Sequence, residues 1–222
     1  MTLQYRFKEP LKTGGENERP PLLLLLHGLG ADENDLFGLA PYMDERFFIV
    51  SPRAPFNLPY GGFAWFELII GPDGIGVSVK QFEQSRVMLL KFVDELIAKH
   101  DLDPKRIFLC GFSQGAMMSL SALLTEPKKF AAVVAMSGRA MPEMLPDTND
   151  FETLKDFPIF VAHGLYDQVL AIENGRATKE ILSALPVDLE YKEYPMAHEI
   201  SQESLHDVST WLRKKLDDQN TK

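Results

Sequence analysis

Five consecutive leucines, Leu22 to Leu26, constrain this chain more than any other segment. A strand that is apolar at every position has no wet face and must be covered on both sides, as happens inside a parallel sheet. Phe47 to Val50, Ile107 to Cys110, Ala132 to Met136, Ile159 to Ala162 and Leu189 to Tyr194 are further short apolar or β-prone runs, mostly without two-residue alternation. Between them, Lys80 to His100 places Phe82, Leu89, Phe92, Val93, Leu96 and Ile97 near helical spacing, with Lys91, Asp94, Glu95 and Lys99 opposite. Glu199 to Leu216 repeats the pattern with Leu205, Val208, Leu212 and Leu216. Strands alternating with amphipathic helices predict an α/β chain: a mostly parallel central sheet with helices on both faces. Tyr5 to Phe7 is expected to add an antiparallel edge strand.

One domain over residues 1–222 suits this length, and the 45% of hydrophobic residues can fill one large core. Lys12 to Pro21 and Pro142 to Asp150 are too short for interdomain linkers and read as surface loops. No internal repeat or low-complexity tract interrupts the pattern.

Charge and cysteine content narrow the function classes. A net charge of -9 repels nucleic-acid phosphates and anionic membrane surfaces over about 8 Å at physiological salt, and no Lys/Arg stripe offsets it. No nucleic-acid partner is expected. Leu22 to Leu26 is far below the roughly 20 residues that span a bilayer, and the N-terminus does not read as a signal peptide, so a cytoplasmic protein without stable membrane insertion is expected. Cys110 is the only cysteine, which rules out an internal disulfide and multi-thiolate zinc sites and fits a reducing compartment.

The chemistry starts at Gly111-Phe112-Ser113-Gln114-Gly115, between the strand Ile107 to Cys110 and the helix-forming run Ala116 to Leu124. A serine on such a strand-to-helix turn sits in strained backbone with its Oγ clear of the sheet, and a Cβ on either glycine would collide with neighbouring elements. The Gln114 amide falls at a helix start, where unpaired N–H groups and the helix dipole favour a developing oxyanion. The plainer alternative is an N-cap serine between turn glycines.

In an α/β-hydrolase the partners of such a serine follow in the order Asp, His, each on a loop at the carboxyl end of a strand. His27 and His100 precede Ser113, His163 leaves little room for an acid before it, and His206 falls off the apolar stripe of the last helix. His198, after the strand Leu189 to Tyr194 and the turn Pro195-Met196-Ala197, is the expected base. Asp167, just past Ile159 to Ala162, is the expected orienting acid, ahead of Asp147, Asp150 and Asp188. A second oxyanion donor, the Leu29 amide, is expected from His27-Gly28-Leu29-Gly30 after the first central strand, with Asp32 or Asn34 capping the next helix and His27 in a structural role.

Taken together, His27-Gly28-Leu29-Gly30, Gly111-Phe112-Ser113-Gln114-Gly115-Ala116, the His163-Gly164 segment leading to Asp167, and His198 before the last helix resemble the phospholipase/carboxylesterase family of serine hydrolases, which includes acyl-protein thioesterases and small bacterial carboxylesterases. The resemblance covers nearly the whole chain. It implies an α/β-hydrolase fold, a triad of Ser113, Asp167 and His198, an oxyanion hole at Leu29 and Gln114, and Trp65 in the wall of the acyl site. Related sequences often carry Asp two residues after that Trp; here it is Glu67, followed by Leu68-Ile69-Ile70.

The expected activity is hydrolysis of short-to-medium acyl esters or thioesters through a covalent acyl-enzyme, without cofactor or metal. Small-molecule and lipid esters, lysophospholipids and acylated proteins all fall within the class, and a homodimer stays open. Dienelactone-hydrolase-like or peptidase activity, and a non-catalytic binding protein of the same fold, are the alternatives. The acyl site is expected on Pro52 to Val79, where Phe63, Trp65, Phe66, Leu68, Ile69 and Ile70 are too apolar for an ordinary loop, and on Ala140 to Asp150, with Met141, Met144 and Leu145 closing the other side.

Overall fold

The computed structural model describes residues 3–12, 18–71, 74–141, 144 and 151–219. Its strands are β1 (Tyr5–Lys8), β2 (Leu22–Leu26), β3 (Phe48–Pro52), the hairpin partners β4 (Phe56–Asn57) and β5 (Phe63–Ala64), the hairpin partners β6 (Leu68–Gly71) and β7 (Gly74–Val77), β8 (Ile107–Phe112), β9 (Ala132–Met136), β10 (Pro158–Gly164) and β11 (Asp188–Tyr194). The helices are α1 (Val79–His100), α2 (Gln114–Thr125), α3 (Ile172–Ser183) and α4 (Gln202–Gln219). One sheet has the order β1-β3-β2-β8-β9-β10-β11. Only β1 runs antiparallel within it, at the edge beside β3.

The leucine run behaves as its composition requires, with all five side chains fully buried. Leu22, Leu24 and Leu26 face a core completed by α1, α2 and Leu182 of α3, while Leu23 and Leu25 face Val208, Trp211, Leu212 and Leu216 of α4. Burying each such side chain is worth about 1.5–3 kcal/mol, which makes this strand a strong determinant of the layer order. Helix α2 is buried along almost its whole length, so it needs no polar face.

Register brings the loops at the carboxyl ends to one level. Leu26 pairs with Gly111, Phe112 with Met136, Met136 with Ala162, and Gly164 with Tyr194. The segments that follow, beginning at His27, Ser113, Ser137, Leu165 and Pro195, therefore emerge side by side. The chain moves outward from β2 to β3 and then returns to add β8 on the other side of β2, so the loops after β2 and β8 flank the topological switch point, where ligands bind in open α/β sheets.

The stretch from Pro52 to Val79, expected to carry the acyl site, folds into the two short hairpins. Gly61 (φ 95°) and Gly62 (φ 76°) adopt the left-handed backbone that makes the first turn feasible, and a Cβ on Gly62 would lie 1.9 Å from the Gly30 carbonyl oxygen. That close approach lets Gly30 N–H donate to the Phe63 carbonyl and Phe63 N–H to that of Ala31, at 2.9 and 3.0 Å. Asp32 and Asn34 do not cap the following helix, which is a 3-10 turn over Leu36–Tyr42 led by Asp35 without a side-chain cap. Asp32 instead accepts the Asn34 amide at 2.8 Å. Among the described residues no helix is long and apolar enough to cross a membrane.

Candidate active site

Ser113 sits between β8 and α2 at φ 54°, ψ −116°, a strained conformation for a residue with a side chain. The glycines on either side have distinct tasks. A Cβ on Gly111 would meet the Gly115 carbonyl oxygen at 2.2 Å, and one on Gly115 would meet the Leu26 carbonyl oxygen at 1.9 Å. The first glycine lets α2 start directly above the strand, and the second lets α2 press against the end of β2. The strain is held by Ser113 N–H donating to the Met136 carbonyl and Met117 N–H donating to that of Ser113, at 2.9 and 3.1 Å.

Three loops bring the polar groups together. His198 Nε2 lies 3.1 Å from Ser113 Oγ, and its Nδ1 lies 2.7 Å from Asp167 Oδ2. The Asp167 side chain is wholly buried. Its other oxygen, Oδ1, accepts the amides of Val169 and Leu170 at 2.9 and 2.8 Å. These two bonds fix the carboxylate plane and aim Oδ2 at the imidazole. Phe112 packs against the His198 ring, with centroids 4.8 Å apart. An Nδ1–H donated to Asp167 leaves Nε2 with a lone pair facing the serine hydroxyl, which suits proton abstraction.

The amides of Leu29 and Gln114 donate to no described residue, and both residues line the same cavity as Ser113. The Leu29 loop comes close because Gly28 has no side chain; a Cβ there would lie 3.2 Å from Ser113 Cβ. His27 sets that loop's orientation. Ala54 N–H donates to its Nε2 at 3.0 Å, so the ring carries its proton on Nδ1 and donates to the Gly28 carbonyl at 2.7 Å. Burial lowers the His27 pKa and keeps this neutral form. In a trans peptide the N–H opposes the carbonyl, so holding the Gly28 C=O against His27 turns the Leu29 N–H the other way.

The cavity over Ser113 has a volume of about 610 Å³ and is lined by Gly28, Leu29, Gln114 and His198 at the polar end. Among the residues expected in the acyl wall, Phe66 and Leu68 line it. Trp65 does not: it is completely buried behind the wall, its indole N–H donating to the His27 carbonyl at 2.9 Å and its own carbonyl accepting the Ser85 hydroxyl. The Gln114 side chain locks this segment by accepting the Trp65 amide at 3.0 Å and donating to the Phe66 carbonyl at 2.8 Å. Phe63 lies under the Arg53 guanidinium, 4.4 Å from its carbon. Ile69 points to solvent, and Met141 and Met144 are core residues, Met141 also reaching a smaller neighbouring cavity. Ile70's side chain, Leu145 and most of the 140–150 loop lie outside the described residues.

Sequence reasoning missed Val77, Met117, Val169, Leu170, Arg139 and Asn174, which also line the main cavity. Of the other histidines after the first, His163 is buried beside the acid, its Nε2 2.7 Å from the Leu170 carbonyl and 3.6 Å from Asp167 Oδ2, His100 packs on Phe48, and His206 is exposed. Asp188 pairs with Lys215 at the far end of the sheet. Among the described residues no group of three or more His, Cys, Asp or Glu is arranged to hold a metal ion.

The strand-turn-helix serine, the parallel sheet and the loops at its carboxyl edge define an α/β-hydrolase enzyme. Residues 13–216 match the Phospholipase/Carboxylesterase family. A probable SOBER1-like carboxylesterase of Arabidopsis thaliana is 32% identical over 87% of this chain and 78% of its own. Acyl-protein thioesterase 1 of Kluyveromyces lactis is 32% identical over 88% of this chain and 92% of its own. The crystal structure of esterase PE8 superposes with a TM-score of 0.80 at 27% identity, covering 96% of this chain and 99% of that one. The chain belongs to the phospholipase/carboxylesterase family, and it is a carboxylic ester hydrolase.

Proposed function

We propose that the protein hydrolyses short-to-medium acyl esters and thioesters through an acyl-enzyme on Ser113. Ser113 Oγ attacks the carbonyl carbon while His198 Nε2 takes its proton, and Asp167 stabilises the imidazolium. The amides of Leu29 and Gln114 donate to the oxyanion of the tetrahedral intermediate. Collapse breaks the bond to the alcohol or thiol, which leaves with the proton from His198. Water then attacks the acyl-Ser113 ester with His198 as base, a second tetrahedral intermediate releases the carboxylic acid, and Ser113 recovers its proton. The net reaction adds one water to one ester or thioester.

The observation that carries this reading is the Asp167–His198–Ser113 chain at 2.7 and 3.1 Å, beside two amides without a partner among the described residues. The wall formed by Phe66, Leu68, Val77 and Met117 supports an acyl chain in the cavity, each buried methylene being worth about 0.8 kcal/mol until the space ends. Lipid esters and acylated proteins fall within this range of substrates, and a relative named acyl-protein thioesterase supports including them. A cytoplasmic setting suits a chain whose single thiol is buried. The test is a p-nitrophenyl ester series with a matched thioester: kcat/KM should rise from acetate to a medium chain and then level, and Ser113→Ala should remove several orders of magnitude throughout. Retention of a tenth or more of the wild-type rate by folded Ser113→Ala would overturn the reading.

A further inference from the structure

We infer that the preferred substrates carry a second, anionic group, a carboxylate, which Arg139 receives beside the nucleophile with Arg86 behind it. The inference rests on the proposed acyl-enzyme reading and adds the substrate class. The chain has nine arginines. Seven of them reach a carboxylate or amide oxygen: Arg6 at Asn34, and Arg19, Arg46, Arg53, Arg106, Arg176 and Arg213 at carboxylates. Among the described residues Arg86 and Arg139 have no such partner, and both line the space around the candidate site. Arg139 lines the main cavity with Ser113, and it also lines an adjoining cavity of about 200 Å³ together with Arg86, Glu83 and Met141. The Arg86 Nε is buried without a hydrogen bond.

In a chain of net charge -9, cations are readily neutralised, and a half-buried guanidinium left unpaired loses hydration without gaining a counter-charge. Glu83, the one carboxylate lining the smaller cavity among the described residues, forms no ion pair with either arginine. The backbone presenting Arg139 is held on both sides. Ser137 is strained at φ 47°, a Cβ on Gly138 would lie 2.5 Å from Ala116 Cβ, and Ala140 N–H donates to Thr178 Oγ1 at 2.8 Å. A fixed fork of N–H donors matches a carboxylate in geometry and charge.

The test compares kcat/KM for p-nitrophenyl hemi-esters of succinate, glutarate and adipate with neutral acyl esters of equal length. A second arm uses butanoyl esters of ω-hydroxy acids against the matching hydroxy amides, which moves the anion to the leaving group. Charge-assisted bonds of this kind predict a preference of about ten- to a hundredfold for the anionic member in one arm, weakened by added salt. In Arg139→Gln the anionic-to-neutral ratio should fall toward one, and in Arg86→Gln it should fall less. Should Arg139→Gln not fold, Arg139→Lys is expected to show an intermediate ratio. An active wild type with ratios at or below one in both arms, or a ratio that survives Arg139→Gln, would overturn the assignment. Failure to hydrolyse any neutral or anionic ester would instead count against the Ser113 reading itself.

Discussion

Replacing Asp167 by Asn tests the geometry at the point where it is most determined. Oδ1 accepts two backbone amides, from Val169 and Leu170, so an asparagine carbonyl takes that position and its NH₂ group faces His198 Nδ1. The imidazole must then accept at Nδ1 and carry its proton on Nε2, toward Ser113, which is the wrong tautomer for a base. Rotating the amide to repair this would aim its NH₂ at two amide donors, forfeiting two bonds inside a buried pocket. At about 1–3 kcal/mol for each buried group left unsatisfied, that rotation costs about 2–6 kcal/mol. At about 1.36 kcal/mol per tenfold in rate, the cost of regaining the working tautomer alone lowers the rate by roughly thirtyfold to about 3 × 10⁴-fold, and loss of the charge opposite the imidazolium adds to it. We expect a fall of about 10³-fold or more in kcat for p-nitrophenyl butyrate, with KM and the thermal midpoint little changed, because the near-isosteric side chain keeps both amides bonded. A folded Asp167→Asn enzyme within tenfold of wild type would refute the argument.

Trp65→Ala should lower acetate and octanoate hydrolysis alike and destabilise by about 3–5 kcal/mol in urea unfolding, since it empties a buried site and frees the His27 carbonyl; a loss confined to octanoate would return Trp65 to the acyl wall. Burial pushes the Cys110 thiol up to about 12, so it should resist iodoacetamide at pH 8 in the folded protein and react once urea is added; rapid native labelling at pH 8 would contradict its placement. Because the folded thiol holds its proton to higher pH than the unfolded one, its stabilising effect is present below the unfolded pKa and declines as pH rises through the alkaline range. The Arg53 hydrogen bonds hold the Glu33 carboxyl below its usual range. That contribution is present above the unfolded Glu value and fades as pH falls through the folded one, so Glu33→Gln should be less stable than wild type at pH 7 and the gap should narrow in acid; a gap that widens in acid would contradict the pairing.

The sheet was legible because its five central strands, β3, β2, β8, β9 and β10, are buried on both faces: Leu22 to Leu26 and Ala132 to Met136 are strands over the expected residues, and the others differ by two residues at most at either end. Pairing carried β8 to Phe112, up to the strained serine. The hairpins after Pro52 were illegible because their glycines and prolines oppose regular structure as readily as they make tight turns, and their partners are only two to four residues long. The loops carrying Ser113, Asp167 and His198 could be placed from strand order alone. The cavity wall could not. A buried aromatic such as Trp65 and one facing a substrate are equally apolar, and only its bonds to His27 and Gln114 tell them apart. Arg139 carried no local signal: what singles it out is its place in the cavity wall without a carboxylate partner among the described residues.

The most direct measurement of the central claim is the site of covalent labelling by a fluorophosphonate, mapped by peptide mass spectrometry on the native enzyme. One adduct on Ser113 is expected, competed by ester substrates, absent from Ser113→Ala and strongly slowed in His198→Ala. An adduct on Ser137, or unchanged labelling of folded Ser113→Ala, would contradict it.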